Sequence, residues 1–179
     1  MVTEALPELP IFSGLTPEQI EELSRWLVRL EFLPGQEIFE EGSQPDGLYV
    51  VARGGVEVLR TTAAGVRRVA ELEGPCVFGE MGFLNSEPHS AAIRALTRIT
   101  AGLLPCEVYE QRLRENNLTA LHIALNLGRV ACSRLRVTTD KLLRLSEVCA
   151  RQQPTPEGKA AVAQELDALC KHILKGEHT

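Results

Sequence analysis

The stretch that decides the fold runs from Val77 to Ala91 and reads VFGEMGFLNSEPHSA. Gly79 permits a close backbone approach and a tight turn that leads into a short helix. The amides of such a turn point outward and suit an anion. Glu80 at the mouth of the turn offers an acceptor for a sugar hydroxyl, and Ser90 offers a donor for a phosphate oxygen. The turn thus offers groups that can bind a sugar hydroxyl and an anion, although the Phe-Gly-Glu pattern by itself does not identify a ligand.

Around this stretch, the chain from Leu33 to Pro105 alternates short apolar runs with turn residues such as Pro-Gly, Asp-Gly and Gly-Gly pairs. The runs have the length of strands and are rich in β-branched residues. Four of them cover residues 48–52, 56–59, 66–72 and 99–104. Several short strands at this spacing favour a sandwich or barrel. The predicted fold class is mainly β with flanking helices.

A helix is predicted to begin near residue 17, before the strands. Thr16 is a good N-cap, Pro17 suits the first helical position, and Glu18 complements the helix dipole. The apolar positions expected to form one face of this helix are Ile20, Leu23, Leu27 and Leu30.

A long helix is predicted after the strands, over residues 118–150. Its apolar and small residues alternate spacings of four and three, which is the heptad pattern of a coiled seam. The seam positions are Ala124, Gly128, Ala131, Leu135, Thr138, Leu142, Leu145 and Cys149. We expect this seam to join two copies of the chain in a parallel homodimer. The alternative is a helix that packs on its own barrel.

The long helix should stop at the proline-rich segment 152–156, because proline removes a backbone donor and disfavours helix at the residue before it. A last amphipathic helix is predicted over residues 155–175. Its apolar face, a candidate surface for a protein partner, comprises Val162, Leu166, Leu169 and Ile173.

The segment 77–91 resembles the phosphate-binding cassette of the cyclic nucleotide-binding domain family. The resemblance extends to Phe12–Leu15, to Pro34–Gly42 and to the glycine-centred hairpin Leu48–Leu59. It implies a jelly-roll β-barrel, or double-stranded β-helix, at residues 11–117, followed by a long dimerisation helix. The function that it implies is that of a regulatory sensor for cAMP or cGMP.

The same resemblance assigns the candidate ligand-binding residues. Glu80 would hold the ribose 2′-hydroxyl, while Ser90 and the amides of Gly79 and Ala91 would face the phosphate. Residues 134–141 are similar to the dimer helix of family members in which a pair of hydroxyl residues contacts the adenine, one from each subunit. The complete predicted set is Gly79, Glu80, Met81, His89, Ser90, Ala91, Thr138 and Thr139.

His89 departs from the family pattern, which has arginine at this position. Arginine offers a permanent charge and a planar fork that pairs with two phosphate oxygens. Histidine offers one good hydrogen bond and is mostly neutral near pH 7. We therefore expect weak cyclic nucleotide binding that strengthens as the pH falls from about 7.5 to 5.5. The alternative is a surface histidine in a vestigial pocket.

Composition and charge exclude several other classes. The net charge of −5 and the few residues after Arg151 argue against nucleic acid binding. No signal peptide or apolar span predicts a membrane protein, so a cytoplasmic location is expected. The five scattered cysteines form no C-x-x-C pair, and no histidine grouping suits a metal or a catalytic site. We expect no enzyme activity, metal or cofactor beyond the nucleotide ligand.

Two functions follow from the sequence. In the first, a nucleotide changes the geometry of the dimer helix and so regulates a partner. In the second, the chain is a structural or interaction dimer whose pocket is empty or adapted to another ligand. The feature that discriminates between these two functions is the histidine at position 89.

Overall fold

The computed structural model describes residues 5–152 and Gln164, so the helix expected over residues 155–175 lies outside the described residues apart from Gln164. The chain divides into two units, and the boundary along the sequence lies between Gly128 and Arg129. The first unit holds the strands and the shorter helices, and the second holds most of the long helix.

The first unit begins with two 3₁₀ turns, Leu6–Glu8 and Pro10–Phe12, and helix α1, Pro17–Trp26. Thr16 caps α1 as predicted, because its Oγ1 accepts from the Gln19 amide and the Gln19 side chain accepts from the Thr16 amide. The predicted apolar face was wrong at its end. Leu27 is the C-cap residue, and Leu30 lies in strand β1, where it pairs with Ala101.

Eight strands form two antiparallel four-stranded sheets with orders β1-β8-β3-β6 and β2-β7-β4-β5. The predicted jelly-roll barrel is confirmed. The strands are β1 Val28–Phe32, β2 Glu37–Phe39, β3 Gly47–Val51, β4 Gly55–Thr62, β5 Gly65–Glu73, β6 Cys76–Phe78, β7 Ala92–Ala95 and β8 Ile99–Pro105. Each of the four predicted strand runs falls in β3, β4, β5 or β8.

The core lies between the two sheets. β3 is buried along its whole length, since it pairs with β8 on one side and β6 on the other. Apolar side chains from both sheets meet beneath it, and burial of such side chains contributes about 1.5–3 kcal/mol each. The buried members of this cluster are Tyr49, Val51, Val56, Phe78, Ile93, Ala95, Ile99 and Ala101.

The segment between β6 and β7 contains a single short helix, α2, Glu80–Asn85. Gly79 precedes it with φ of +81°, a left-handed conformation that favours glycine. A Cβ on Gly82 would lie 2.9 Å from Pro45 Cβ and 3.0 Å from the Glu87 carbonyl oxygen. Close packing against Pro45 therefore explains the glycine at position 82.

Two helices follow the barrel, α3 at Cys106–Arg114 and α4 at Leu118–Gln152. The predicted long helix is confirmed, and α3 was not predicted. The first turns of α4 belong to the first unit, where Ala120, Ile123 and Leu127 are buried. No helix among the described residues is long and apolar enough to cross a membrane.

Candidate functional site

The predicted ligand residues of the barrel lie together because the cassette, residues 79–91, leaves β6 and folds back into β7. Its backbone is fixed to the turn after β2. The Gly42 amide donates to the His89 carbonyl at 2.7 Å, and the His89 amide donates to the Ser43 carbonyl at 2.9 Å. Residue 89 is thus held by two main-chain hydrogen bonds that do not depend on its side chain.

The imidazole ring of His89 stacks on Phe39. The two ring centroids lie 3.7 Å apart, and the ring planes differ by only 9°. Phe39 in turn contacts Tyr49 and Phe78, which stack on one another with centroids 5.3 Å apart. The histidine is therefore the outermost ring of an aromatic group that reaches into the barrel core.

His89 is buried, with an exposed fraction of 4%, so the alternative of a surface histidine is wrong. Burial lowers the pKa of His89 below its ordinary value, while the Asp46 carboxylate acts in the opposite direction. Its Nε2 atom is buried and has no hydrogen-bond partner among the described residues. A buried polar atom without a hydrogen-bond partner is uncommon in folded proteins and calls for an explanation.

Asp46 and Tyr49 support the region around the histidine. The Tyr49 hydroxyl donates to Asp46 Oδ2 at 2.6 Å. Burial raises the pKa of Tyr49, with a further contribution from its hydrogen bond to Asp46, so the phenol stays protonated and remains a donor. A Cβ on Gly79 would lie 3.0 Å from the Gly47 carbonyl oxygen, 3.5 Å from Tyr49 and 3.8 Å from His89 Cε1.

The outer part of the cassette is open to solvent. Met81 and Ser90 are exposed, while Glu80 and Ala91 are half-buried. The Ser90 hydroxyl donates weakly to the Met81 sulfur at 3.8 Å, which brings the two ends of the cassette together. A hydroxyl held only by a weak sulfur contact is available to donate to a ligand oxygen.

Thr138 and Thr139 lie in the second unit, on α4. Thr138 is exposed, and the Thr139 hydroxyl donates to the Leu135 carbonyl at 2.9 Å within the helix. Their proposed contact with a base remains a prediction. The exposed seam residues around them include Leu135 and Leu145, at 50% and 60% exposure.

Sequence reasoning missed Phe39 and Asp46 as neighbours of the site. Phe39 carries a weak signal, because it ends a β-strand that follows a Pro-Gly turn. Asp46 carries none, since its influence on His89 depends on a contact across 43 positions of the chain. Sequence reasoning also missed a groove on the opposite face of the second sheet.

That groove, called here the outer groove, has a volume of about 730 Å³. Glu57 and Leu59 are among its lining residues, and Glu57 alternates along β4 with the core-facing Val56 and Val58, so it points away from the core. Arg94 Nε donates to Glu57 Oε1 at 2.6 Å, and Arg68 lies 3.9 Å from Glu57 Oε2. The outer groove is thus a concave surface that lies apart from the cassette residues and carries both acidic and basic side chains.

The described residues contain no group of three or more histidine, cysteine or acidic side chains arranged to hold a metal ion. The chemistry that the cassette offers is therefore that of a polar binding site, built from a carboxylate, a hydroxyl, an imidazole and a glycine turn.

The barrel and its cassette define a ligand-binding domain, and the comparison with protein families gives its class. The chain belongs to the cyclic nucleotide-binding domain family, whose model matches residues 29–116. This identification confirms the resemblance found in the sequence.

Two of the similar proteins are named as a cyclic AMP receptor protein and a cAMP-activated transcriptional regulator. The chain is 34% identical over 121 residues to the cyclic AMP receptor protein of Thermus thermophilus, and the match covers 67% of this chain and 56% of that protein. The crystal structure of the Thermus thermophilus catabolite activator protein superposes with a TM-score of 0.71 and 32% identity, over 80% of this chain and 66% of that one. The chain spans 56–62% of the length of the curated regulators that it matches.

A third similar protein is the regulatory subunit of a cAMP-independent protein kinase A from Trypanosoma brucei. It is 25% identical, with a TM-score of 0.61, over 72% of this chain and 43% of that one. A variant of that subunit with three substitutions, one of which exchanges threonine for arginine, was solved with cAMP bound in its A site.

Proposed function

We propose that this protein is a cyclic nucleotide sensor that binds cAMP or cGMP, and that this binding is weak when the His89 side chain is neutral. The observation that carries the proposal is the cassette itself, which brings Gly79, Glu80, Ser90 and Ala91 into one segment fixed to the barrel. In the proposed complex the Glu80 carboxylate accepts from the ribose 2′-hydroxyl. The Ser90 hydroxyl, with the amides of Gly79 and Ala91, donates to the cyclic phosphate.

Weak binding follows from histidine at position 89 in place of the family's arginine. Loss of one charged hydrogen bond costs about 1.5–3 kcal/mol, or roughly ten- to a hundredfold in affinity. The Trypanosoma brucei subunit supports this reasoning, since it is cAMP-independent and its variant with an introduced arginine was solved with cAMP.

The proposed active form is a parallel homodimer through α4, with Thr138 and Thr139 against the nucleotide base from two subunits. A Cβ on Gly128 would meet nothing within 4 Å among the described residues. Glycine in a helix costs about 1 kcal/mol relative to alanine, so packing within the described chain does not explain it. A second helix that approaches closely does explain it.

The sensor is proposed to be a cytoplasmic regulator without enzyme activity and without nucleic acid as a partner. The names of the similar proteins, a receptor protein and a kinase regulatory subunit, support a regulatory role. A bound nucleotide would act by favouring one geometry of the dimer helix over another, and a protein partner would respond to that change. The predicted C-terminal helix is the proposed surface for this partner.

A structural dimer is the second candidate, and one observation favours it. The His89 ring already fills the space beside Phe39, as a core residue does. In that case the cassette is a remnant whose side chains serve packing, and the helix seam alone carries the function.

Calorimetry with cAMP and cGMP at pH 7.5 separates the two candidates. For the sensor, the wild type binds weakly and His89→Arg binds about ten- to a hundredfold more tightly, because arginine restores a fixed charge. Glu80→Gln in the His89→Arg background is the control and should weaken binding again. If His89→Arg binds neither nucleotide, the cassette is not a nucleotide site and the structural dimer becomes the better account.

A further inference from the structure

The surroundings of the His89 ring suit an apolar aromatic side chain better than an imidazole. A ring that is 4% exposed and stacked on Phe39 is placed as a neutral aromatic side chain. Its Nε2 atom nevertheless lacks a partner among the described residues. An apolar ring would pack there without leaving a polar atom unsatisfied, so packing alone does not explain the imidazole.

The groups around the ring determine which charge state the site supports. Phe39 covers one face of the His89 ring. Asp46 lies in the turn before β3, and Tyr49 lies within β3. Glu80 follows the Gly79 turn, which adjoins the ring edge at Cε1. Of these titratable groups, the Asp46 carboxylate acts on His89 and favours its protonated form.

Burial outweighs that carboxylate in the free protein, so the pKa of His89 is lowered. One oxygen of Asp46, Oδ2, already accepts a hydrogen bond from the Tyr49 hydroxyl. One additional negative group near Nε2 would supply both the missing acceptor and the missing counter-charge. A phosphodiester is such a group, and it stays ionised across the range in which histidine titrates.

We propose that His89 is a proton-linked receptor for the anionic group of the ligand: the ring is neutral and stacked on Phe39 in the free protein, and it turns out of this stack and becomes protonated when an anion arrives to accept from Nε2. This proposal rests on the proposed function, because it concerns how the same cassette takes its nucleotide. It differs from a fixed-charge site in one consequence: between the His89 pKa of the free protein and that of the complex, binding of a nucleotide is accompanied by uptake of a proton.

The sign of the pH dependence follows from linkage. The free protein has a His89 pKa below the ordinary value of about 6.5, and the complex has one above its free value. Between those two values, affinity rises as the pH falls, by at most about tenfold per pH unit for one proton. Affinity levels off on either side of that window, since the proton is then bound, or absent, in both states.

The test combines calorimetry and NMR on the full chain with cAMP as the probe. Calorimetry at pH 6.5 in buffers of different ionisation enthalpy counts the protons taken up per cAMP. Two-bond ¹H–¹⁵N spectra follow each imidazole with and without cAMP, and the spectrum of His89→Gln assigns the signals of residue 89. Asp46→Asn should reduce proton uptake, since the carboxylate that favours the imidazolium is gone.

We expect proton uptake near one per cAMP in the wild type, none in His89→Gln or His89→Arg, and a His89 pKa that rises on binding. Equal His89 titration with and without cAMP overturns the proposal, and so does proton uptake that persists in His89→Gln. If the wild type binds cAMP with an affinity that does not change between pH 7.5 and pH 5.5, the proton-linked role is wrong and the sensor function stands. If neither the wild type nor His89→Arg binds, the sensor function itself fails.

Discussion

The barrel and the long helix hold the predicted ligand residues in different physical settings. In the barrel, His89 is buried and its main chain is bonded to the turn after β2. On the second unit's part of α4, Thr138 is exposed and Leu145 is 60% exposed. The barrel residues are thus held by the packing of their own core, whereas the helix presents exposed apolar side chains, which we propose a second copy of the helix covers.

This difference predicts that substitutions in the core lower the stability of the fold, whereas substitutions in the seam weaken the association of two copies. Tyr49 is 2% exposed and packs between Phe39 and Phe78, so Tyr49→Ala should cost about 3–5 kcal/mol of unfolding free energy. Leu135→Ala on the seam should instead weaken only the association of two copies. Urea unfolding at two protein concentrations distinguishes them.

In that experiment, Tyr49→Ala should lower the midpoint equally at both concentrations. Leu135→Ala should reduce the difference between the two midpoints, because dimerisation stabilises by mass action. A Leu135→Ala protein that loses several kcal/mol independently of concentration would show that this leucine belongs to a core rather than to an interface.

The proposed dimer seam on α4 can be disrupted by substitutions that leave the barrel unchanged. Leu135→Glu with Leu142→Glu places charges in the proposed seam and should raise the dimer dissociation constant by at least about a hundredfold, since buried unpaired charges cost several kcal/mol. Val137→Glu with Leu143→Glu is the matched control, because these exposed residues lie on α4 outside the seam. Sedimentation should find monomers for the first pair and dimers for the control. A monomeric wild type would contradict the homodimer.

A smaller effect is expected from His89 on the stability of the free barrel. Its folded-state pKa is lowered, so below about pH 6.5 the unfolded chain binds a proton that the folded chain does not. The wild type should therefore lose more stability than His89→Gln as the pH falls from 8 to 5.5. Chemical unfolding at several pH values measures this, with His122→Gln as the control for removal of a histidine. Parallel curves for wild type and His89→Gln would show that burial does not perturb this group.

Much of the barrel could be predicted because its strands carry local signals. The runs within β3, β4 and β5 contain β-branched residues and lie between glycine-containing turns, and the run within β8 contains β-branched residues and ends before Pro105. The end of α1 was mispredicted since Leu27 and Leu30 fit a helical repeat, although the stretch VRLEF at 28–32 also alternates with period two. Pairing of that stretch with β8 decided the outcome.

The environment of the candidate site could be predicted only in part. The cassette residues are contiguous, so the sequence brings Gly79, Glu80 and Ser90 together without tertiary information. The direction of the His89 ring depends on Phe39 and Asp46, which lie 50 and 43 positions away along the chain. Helix α3 was missed because its nine residues are mostly polar and carry little periodicity.

The most direct test of the account is an amide chemical-shift map of ¹⁵N-labelled protein titrated with cAMP, for the wild type at pH 6.0 and His89→Arg at pH 7.5. A sensor that binds at the cassette should show the largest shifts at Gly79, Ser90 and Ala91, with little change at the outer groove around Arg68. Shifts confined to the outer groove, or none in either protein at millimolar cAMP, would contradict the central claim that the cassette is a cyclic nucleotide site.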